Sequence, residues 1–390
     1  MTVLTFDQVG ISTGGYWCTP FHRWQGALAE ANPIELAAEC GQMAAADGRI
    51  DLESIDQVHL GVTVPSPAVF YGAPRLASLL GAPDGASGPT ISQACATSAA
   101  VLASAASVIE LGDVRSALAV CADRTSNGPH LYYPSSSAPG GKGASEDWVW
   151  DNFTDPDHGH QMITSAENIA AEGGYDRHQQ DQMSVLRHEQ YQQALSKDRE
   201  FQRAYQIEPL PDSALVGDQG VRTVDESAAA GRRTVLADGT VTSLSQTYPA
   251  DGNAGLQLVS RRDADGVDIR LCGFSTERVR PAYMGQAPVP AAQSLLRSLG
   301  LSTNDLTAIK THNPFAVNDI YFCEQLDLKW DAVNNYGSSL VWGHPQGPTG
   351  LRLVIELIEE LRRLGGGYGL FSGCAAGDSA SAIVVHVGAE

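Results

Sequence analysis

The sequence has few basic residues and lacks the patterns that mark several classes of protein. Its 390 residues carry 25 Lys and Arg against 45 Asp and Glu, a formal net charge of −20. Surfaces that bind nucleic acid or anionic membrane need a basic field, so neither partner is expected. An anionic ligand would depend on local cations such as Arg187, Arg232 or Arg233. No run approaches 18 consecutive apolar residues, and no basic segment followed by an apolar one opens the chain, so neither a membrane span nor a secretory signal is expected.

The cysteines show neither a disulfide framework nor a zinc pattern. They are seven in number, an odd count, and scattered without a C-x-x-C pair: Cys18, Cys40, Cys95, Cys121, Cys272, Cys323 and Cys374. A reduced, cytoplasmic protein without a metal site is therefore expected.

Length and composition indicate a globular protein of two or three packed units. At 390 residues the chain exceeds what one hydrophobic core usually organises. Hydrophobic residues make up 43% and charged residues 18%, which excludes a disordered or fibrous chain.

The pattern of apolar runs predicts an α/β fold built from two similar halves. Strand-like runs such as 58–62, 90–95 and 116–121 alternate with helical patterns in the first third, and the same rhythm returns from about Val267. Both halves contain the same succession of elements, over 91–121 and over 336–374. A strand that ends in a reactive residue comes first, an apolar helix follows, and a strand that ends in Cys comes last. We interpret this as an internal duplication, with a site fed by strand ends from both halves.

The middle of the chain has a different character and is interpreted as an insertion. A loop rich in Pro, Ser and Gly occupies 134–143, and charged helices begin near Ser165. The apolar residues Ile169, Met183, Leu186 and Leu195 are spaced for helices that would cover a site, as a lid, and not form the main core.

Cys95 is the first candidate for chemistry. It lies in the segment TISQACATSAA, where a predicted strand ends and a helix begins. A helix N-terminus favours a thiolate and would lower the thiol pKa. The small neighbours Ala94, Ala96 and Thr97 leave room for a substrate and for an oxyanion hole of backbone N–H groups. A single cysteine in such a place is more often a core residue. Whether Cys95 is a nucleophile therefore depends on partner residues elsewhere in the chain.

Three C-terminal segments supply such partners. His312 opens HNPFA after a predicted strand, His344 lies in the turn-rich VWGHPQGPTG, and Cys374 lies in FSGCAAGD between two strands. Taken singly, each has an ordinary structural explanation.

In this order, the four segments resemble the motifs of the thiolase family over nearly the whole chain. They read Cys-Ala-Thr at 95–97, His-Asn-Pro-Phe at 312–315, Gly-His-Pro at 343–345 and Cys-Ala-Ala at 374–376. His312 replaces the commoner Asn, as in the sterol-carrier-type thiolases, and Ala376 replaces a glycine. The resemblance implies five layers, α-β-α-β-α. It divides the chain into an N-terminal half (1–124 with 239–262), a loop or lid domain (125–238) and a C-terminal half (263–390).

The resemblance also implies roles for these residues. Cys95 would carry the acyl group after His344 removes its proton. His312 and His344 would hold the thioester oxygen, directly or through water, and Cys374 would move the proton of the second thioester or of the departing thiol. The expected activity is acyl-CoA C-acyltransfer, the reversible condensation or thiolysis of a 3-oxoacyl-CoA, with coenzyme A as substrate and no other cofactor.

The expected coenzyme pocket departs from the family pattern more than the reacting centre does. Its contacts would include Thr247, Gln161, Met162, Phe315 and Ala376. Gln161 replaces a common His, Tyr248-Pro249 replaces a small stretch, and the segment 225–239 is about ten residues shorter than usual. Aromatic residues could narrow an acyl pocket, and the candidates are Trp148, Trp150, Tyr248 and Trp342.

Two other functions remain open at this level. A biosynthetic condensing enzyme or acyltransferase would keep the acyl-enzyme and use another acceptor, with or without a small accessory subunit. A non-catalytic scaffold would lose nothing when Cys95 is replaced by Ala. For assembly, the resemblance implies a homodimer or homotetramer formed by adding the central sheets together.

Overall fold

The computed structural model describes residues 2–135, 143–210, 216–222, 224–262 and 268–389. Most of the loop expected at 134–143 lies outside these ranges, as does Val267. The described residues form an α/β fold in which one large sheet runs through both halves of the chain.

The strands and helices alternate in both halves. The strands are β1 (Thr2–Thr5), β2 (Val9–Cys18), β3 (His22–Arg23), β4 (Gln57–Gly61), β5 (Thr90–Ile91), β6 (Ser116–Arg124), β7 (His130–Tyr133), β8 (Ala144–Asp147), β9 (Ala250–Ser260), β10 (Ile269–Arg278), β11 (Leu306–His312), β12 (Gly367–Ala375) and β13 (Ser379–Val387). The helices are α1 (Pro33–Ala46), α2 (Gly72–Leu80), α3 (Thr97–Leu111), α4 (Trp148–Asp151), α5 (Met162–Gly173), α6 (Arg177–Ala194), α7 (Ser196–Arg203), α8 (Glu226–Ala230), α9 (Pro288–Leu299), α10 (Ala316–Gln325), α11 (Ser339–Trp342) and α12 (Gly347–Arg363).

The sheet repeats one pairing scheme in each half. In the first half, β4 and β6 are parallel, and β6, β9 and β2 follow as antiparallel neighbours. In the second half, β11 and β12 are parallel, and β12, β13 and β10 follow in the same way. The halves join where Ile269 and Arg270 of β10 pair with Ile11 and Gly10 of β2. The duplication inferred from the sequence is therefore visible in the strand order.

Helices cover and separate the two halves of the sheet. α1 and α2 pack outside the first half, α9 packs outside the second, and α3 and α12 pack against each other between them. The largest apolar cluster surrounds this central pair. The five-layered α-β-α-β-α arrangement expected from the sequence is confirmed.

The central helix α3 is apolar because both halves bury it. The window Ala94–Leu111 is long and apolar enough to cross a membrane, but 56% of it is buried inside the protein, as in a core helix. Gly112 ends the helix with φ +86°, a left-handed conformation that glycine adopts without strain. The strand expected over 90–95 is much shorter and ends at Ile91.

The second central helix, α12, is buried along almost its whole length although it contains charged residues. Arg352 forms two hydrogen bonds to Asp218, at 2.6 and 2.8 Å, and a third to Glu356 at 2.9 Å. Lys310 of β11 pairs with Glu360 at 2.9 Å. Because each of these buried charges has a partner, the helix can lie in the core without an isolated ion.

The inserted segment separates β6 from β9 and packs over one end of the sheet. Its helices α5 and α6 contact α10, and α6 begins at a capping box formed by Asp176 and Gln179. Ile169 and Met183 are buried beside Phe315 and Cys374 in a separate apolar cluster. The insertion therefore lies over the reactive segments, while the domain boundaries given above remain predictions.

Candidate active site

Cys95 lies in a tight turn directly before α3. The hydroxyl of Thr97 accepts a hydrogen bond from the backbone N–H of Gln93 at 2.8 Å and donates one to the carbonyl of Ala94 at 2.7 Å. Ala94 has φ +45°, a conformation uncommon for residues with a side chain. The turn places the Cys95 sulfur at the start of the helix and at the edge of a cavity.

His344 comes from the other half of the chain and meets Cys95. Its Nε2 lies 3.1 Å from the Cys95 sulfur, and its Nδ1 lies 2.6 Å from the hydroxyl of Thr349 in the first turn of α12. The backbone N–H of His344 donates to the carbonyl of Tyr248 at 2.8 Å. Cys95 and His344 therefore occupy corresponding places before the central helices of the two halves.

His312 stacks on His344 at the end of β11. The ring centroids are 4.2 Å apart, and a donor atom of each His lies within 4.8 Å of the other and of the Cys95 sulfur. The Nδ1 of His312 is 2.9 Å from the hydroxyl of Ser339. Its Nε2 is buried and has no hydrogen-bond partner among the described residues.

A chain of hydrogen bonds determines which nitrogen of His312 carries the proton. Asp319 accepts from Arg187 at 2.8 Å and from the amide N–H of Asn313 at 2.6 Å, so the Asn313 oxygen is left as an acceptor. That oxygen is 3.2 Å from the Ser339 hydroxyl, which satisfies it by donating. With its proton used, Ser339 can only accept from His312. We therefore expect the proton on Nδ1 and a lone pair on Nε2.

Cys374 ends β12 and shares the cavity with Cys95. It is buried, and the side-chain amide N–H of Asn318 donates to its sulfur at 3.5 Å. Two residues later, the backbone N–H of Ala376 donates toward the Cys95 sulfur. The position of that N–H suits the oxygen of an acyl group on Cys95.

Asp123, at the end of β6, fixes the distance between the two helix starts. Its carboxylate accepts from the backbone N–H groups of Thr63 and Val64, at 2.7 and 3.0 Å, and from the Thr63 hydroxyl at 2.8 Å. It also accepts from the backbone N–H of Gly347, at 2.8 Å, three residues after His344. One buried carboxylate thus connects the first half to the loop that carries the histidine.

Burial leaves the reacting groups uncharged in the resting site. It raises the pKa of the Cys95 thiol to about 11, although the Ala376 N–H acts against this rise. Burial lowers the pKa of His312 to about 3, and burial together with the neighbouring His312 lowers the pKa of His344 well below its usual value. The lowered thiol pKa expected from the helix N-terminus is therefore wrong, because loss of hydration outweighs the helix field.

The cavity has a volume of about 660 Å³ and opens beside these residues. It reaches Cys95, His344 and Cys374, while His312 lies behind His344. The proposed coenzyme contacts all line it: Thr247, Gln161, Met162, Phe315 and Ala376. The hydroxyl of Thr247 already donates to the carbonyl of Ser339 at 2.6 Å, so it can offer a ligand only its lone pairs.

Two expectations about the cavity are wrong. Arg187 is fully buried in its hydrogen bonds to Asp319 and to backbone carbonyls, so it is not available to a phosphate. Trp342 is also fully buried and packs against Arg352, outside the cavity lining. The other aromatic candidates line the cavity as expected: Trp148, Trp150 and Tyr248.

Several residues of the site escaped sequence reasoning. They are polar groups that support the site through their hydrogen bonds: Asp123, Asn313, Asn318, Ser339 and Thr349. Asn313 follows His312 within a recognised motif, which is the one local signal that could have found it. For the others, only the folded contacts reveal a role.

Family models match most of the chain. The model described as "Thiolase, N-terminal domain" matches residues 15–262, and "Thiolase, C-terminal domain" matches residues 267–387. Together they include all four motif segments.

Individual relatives agree with the family models. The chain is 28% identical to the beta-ketothiolase BktB of Cupriavidus necator, over 92% of this chain and 94% of that protein. It is 27% identical to the human mitochondrial 3-ketoacyl-CoA thiolase, over 94% of this chain and 96% of that protein. Among solved structures, the acetyl-CoA acetyltransferase of Bacillus anthracis superposes with a TM-score of 0.89 at 27% identity, covering 98% of this chain and 99% of the other.

The raised thiol pKa predicts how Cys95 reacts with an alkylating agent. Iodoacetamide reacts with the thiolate, so below pH 11 the rate at Cys95 should rise about tenfold per pH unit. Peptide mass spectrometry between pH 6 and 9 would measure that rate. A rate independent of pH from 6 to 8 would indicate a preformed thiolate–imidazolium pair and contradict the prediction.

The hydrogen-bond chain predicts that neutral His312 is protonated on Nδ1. Nitrogen NMR of protein labelled in its histidines distinguishes the two ring nitrogens. In Ser339→Ala an N–H on Nδ1 would be buried without an acceptor, at a cost of about 1–3 kcal/mol, so the preference for Nδ1 should be lost and both tautomers should be populated. Ser338→Ala is the matched control, because the neighbouring Ser338 hydroxyl is buried without a hydrogen-bond partner among the described residues. Protonation on Nε2 in the unmodified protein would refute the assignment.

Proposed function

The chain belongs to the thiolase family and is an acyl-CoA C-acyltransferase, and we propose that it exchanges acyl groups through a thioester on Cys95. The proposed reaction is the reversible condensation of two acyl-CoA molecules to a 3-oxoacyl-CoA and free coenzyme A. Coenzyme A is thus a substrate and product, as the family requires.

The observation that carries this proposal is the contact between Cys95 and His344 beside a second thiol. A neutral imidazole 3.1 Å from a thiol can accept its proton as the sulfur attacks a thioester carbonyl. Cys374 lines the same cavity and can donate or accept a second proton. Two thiols and an imidazole are sufficient for both halves of the reaction.

In the first half-reaction, the Cys95 sulfur attacks the carbonyl carbon of an acyl-CoA. The Cys95 proton passes to Nε2 of His344. The oxyanion lies against backbone N–H groups near the Cys95 sulfur, including that of Ala376 in the turn after β12. The bond to the coenzyme sulfur breaks, and Cys374 gives its proton to that sulfur. The products are acyl-Cys95, free coenzyme A, a Cys374 thiolate and a protonated His344.

In the second half-reaction, the Cys374 thiolate removes a proton from the α-carbon of another acyl-CoA. Burial raises the pKa of Cys374 well above its usual value, which makes its thiolate a strong base. The resulting enolate attacks the carbonyl of acyl-Cys95. His344 then returns the proton to the departing Cys95 sulfur, so every group regains its starting state.

His312 would act on the enolate through water. With a lone pair on Nε2, it cannot donate a hydrogen bond to the thioester oxygen. A water molecule that donates one proton to Nε2 and the other to the oxygen would connect them. This choice between the direct and the water-mediated contact follows from the Asn313–Ser339 chain.

A second candidate function keeps the acyl-enzyme and changes the acceptor. It is favoured by the negative charge of the cavity lining. Among the described lining residues, three are acidic (Asp155, Asp157 and Asp378), and Arg278 is the only Arg or Lys. Such a lining is poorly suited to the phosphates of a coenzyme. A carrier protein or a small acceptor would then take the acyl group, with or without the help of a small accessory subunit.

For assembly and location, we propose a cytoplasmic homo-oligomer, at least a dimer, formed through the β5 edge of the sheet. β5 ends the strand order, and nearby Phe70 and Tyr71 have exposed fractions of 94% and 67%. Large exposed aromatic side chains beside an open strand edge are typical of a contact surface. All seven cysteines are free thiols, which supports a reducing compartment.

The acyl-enzyme proposal predicts acetylation at Cys95. After exposure to acetyl-CoA and an acid quench, peptide mass spectrometry should find the acetyl group on Cys95. In His344→Ala the rate should fall by about 100-fold or more, because no base accepts the thiol proton. Cys272→Ala is the matched control, since that partly buried thiol lies outside the cavity lining and its loss should change nothing.

The same experiment distinguishes the two candidate functions. Labelling by coenzyme A esters, with thiolysis of a 3-oxoacyl-CoA, supports the first. Faster labelling by S-acetylpantetheine or an acylated carrier protein, without thiolysis, supports the second. No label on Cys95 from any donor would rule out both.

The proposed dimer predicts a mass of twice 41.2 kDa or more by sedimentation at micromolar concentration. Phe70→Ser should raise the fraction of monomer, because it removes apolar area from the contact. Leu111→Ser is the control, because Leu111 is also an exposed apolar residue and lies at the C-terminal end of α3. A monomeric unmodified protein would contradict the proposal.

A further inference from the structure

A cluster of metal-binding side chain types lies at the cavity, apart from the reacting thiols. Asp155, His158 and His160 each place one donor atom within 4.8 Å of the other two. They belong to a closed loop in which Asp155 and His160 are joined by a backbone hydrogen bond of 2.8 Å. Asp155 and His160 are largely buried and line the cavity, while His158 is 43% exposed.

Asp155 is held in place before any ligand arrives. Its Oδ1 accepts from the backbone N–H groups of Asp157 and His158, at 2.9 and 2.7 Å, and lies 3.0 Å from Nδ1 of His158. These bonds fix the carboxylate and its neighbouring imidazole on one side of the loop.

Asp378 supplies a second and independent observation. It follows Cys374 in the turn between β12 and β13, and its side chain is only 2% exposed. Oδ1 accepts from the backbone N–H of Tyr283 at 3.0 Å. Oδ2 points toward Nε2 of His160 at 4.0 Å, which is too long for a hydrogen bond, and no closer cation is found among the described residues. The Oδ2 of this buried side chain thus faces His160 of the cluster and has no hydrogen-bond partner among the described residues.

We propose that Asp155, His158, His160 and Asp378 form a site for a divalent transition metal ion of the Zn²⁺ class at the wall of the cavity. Two imidazole nitrogens and two carboxylate oxygens are a suitable four-coordinate set for Zn²⁺ or Co²⁺. Such an ion holds its ligands at about 2.0–2.2 Å. The donor atoms of Asp155, His158 and His160 lie within 4.8 Å of one another, and Asp378 lies 4.0 Å from His160, so binding of one ion by all four requires side-chain rotation. Sequence reasoning missed the site because it considered cysteine spacing alone.

A bound dication would change the charge of the cavity. The lining contains Asp155, Asp157 and Asp378, which repel phosphate groups. Two positive charges there would offset this repulsion and attract the anionic part of an acyl-CoA. This consequence rests on the proposed function, whereas the metal site itself does not.

The first experiment is titration of the Cys95→Ala protein with Co²⁺. This variant removes the other three-donor group, formed by Cys95, His312 and His344. We expect one equivalent of Co²⁺ to bind by calorimetry, with the visible absorption of a four-coordinate nitrogen and oxygen site. His160→Ala and Asp378→Asn should each weaken binding at least tenfold.

The matched control is His130→Ala in the same background. Exposed His130 lies 3.5 Å from Asp147 in the same insertion, but among the described residues no third donor joins them. It should bind Co²⁺ as tightly as the parent protein. Absence of Co²⁺ binding, or equal affinity in His160→Ala, would overturn the site and leave Asp155 as the cap of an ordinary turn.

The second experiment measures acetyl-CoA binding to the Cys95→Ala protein, which cannot turn it over. One equivalent of Zn²⁺ should tighten binding several-fold, and His160→Ala should abolish that effect. Equal affinity with and without Zn²⁺ would overturn the role at the cavity, while the Co²⁺ titration decides the site separately. If acetyl-CoA did not bind at all, the proposed function would fail together with that role.

Discussion

The structure depends on one constraint: two helix starts, far apart in sequence, must meet within hydrogen-bond distance. Cys95 precedes α3, His344 precedes α12, and 249 positions separate them along the chain. Asp123 and the hydroxyl of Ser98 both bind Gly347, which holds the loop after His344 against the first half. Because a shift of about 1 Å can cost two orders of magnitude in rate, these buried contacts matter as much as the reacting atoms.

The charges of the core and those of the site are arranged differently. In the core, buried ions occur with partners, as Arg352 does with Asp218 and Arg187 does with Asp319. The reacting groups are uncharged, since burial raises the pKa of both thiols and lowers that of both imidazoles. Charge therefore appears only when a proton moves between neighbours. In a site of low polarity, such a transfer is easiest when N–H groups stabilise the anion that forms on the substrate oxygen.

The sequence was enough to predict the repeated fold and the four segments that meet at the candidate site, because both leave local patterns. Cys95, His312, His344 and Cys374 lie in short motifs, and strands and helices show characteristic spacings of apolar residues. The protonation of these residues could not be predicted, since desolvation depends on atoms from both halves; the expected low pKa of Cys95 is wrong for that reason. The burial of Arg187 and Trp342 was missed in the same way: Arg187 binds Asp319, more than a hundred residues away, and Trp342 packs against Arg352 of another helix.

The two halves share a scheme of strands and differ in one connection, and that difference separates reactivity from selectivity. Between β12 and β13 the link is a short turn that brings the Ala376 N–H to Cys95. The corresponding link between β6 and β9 is the long insertion, which supplies Trp148, Trp150 and the loop of Asp155 to the cavity wall. Changes in the insertion can therefore alter which acyl group or acceptor fits without moving a reacting atom, whereas a change in the short turn would alter both.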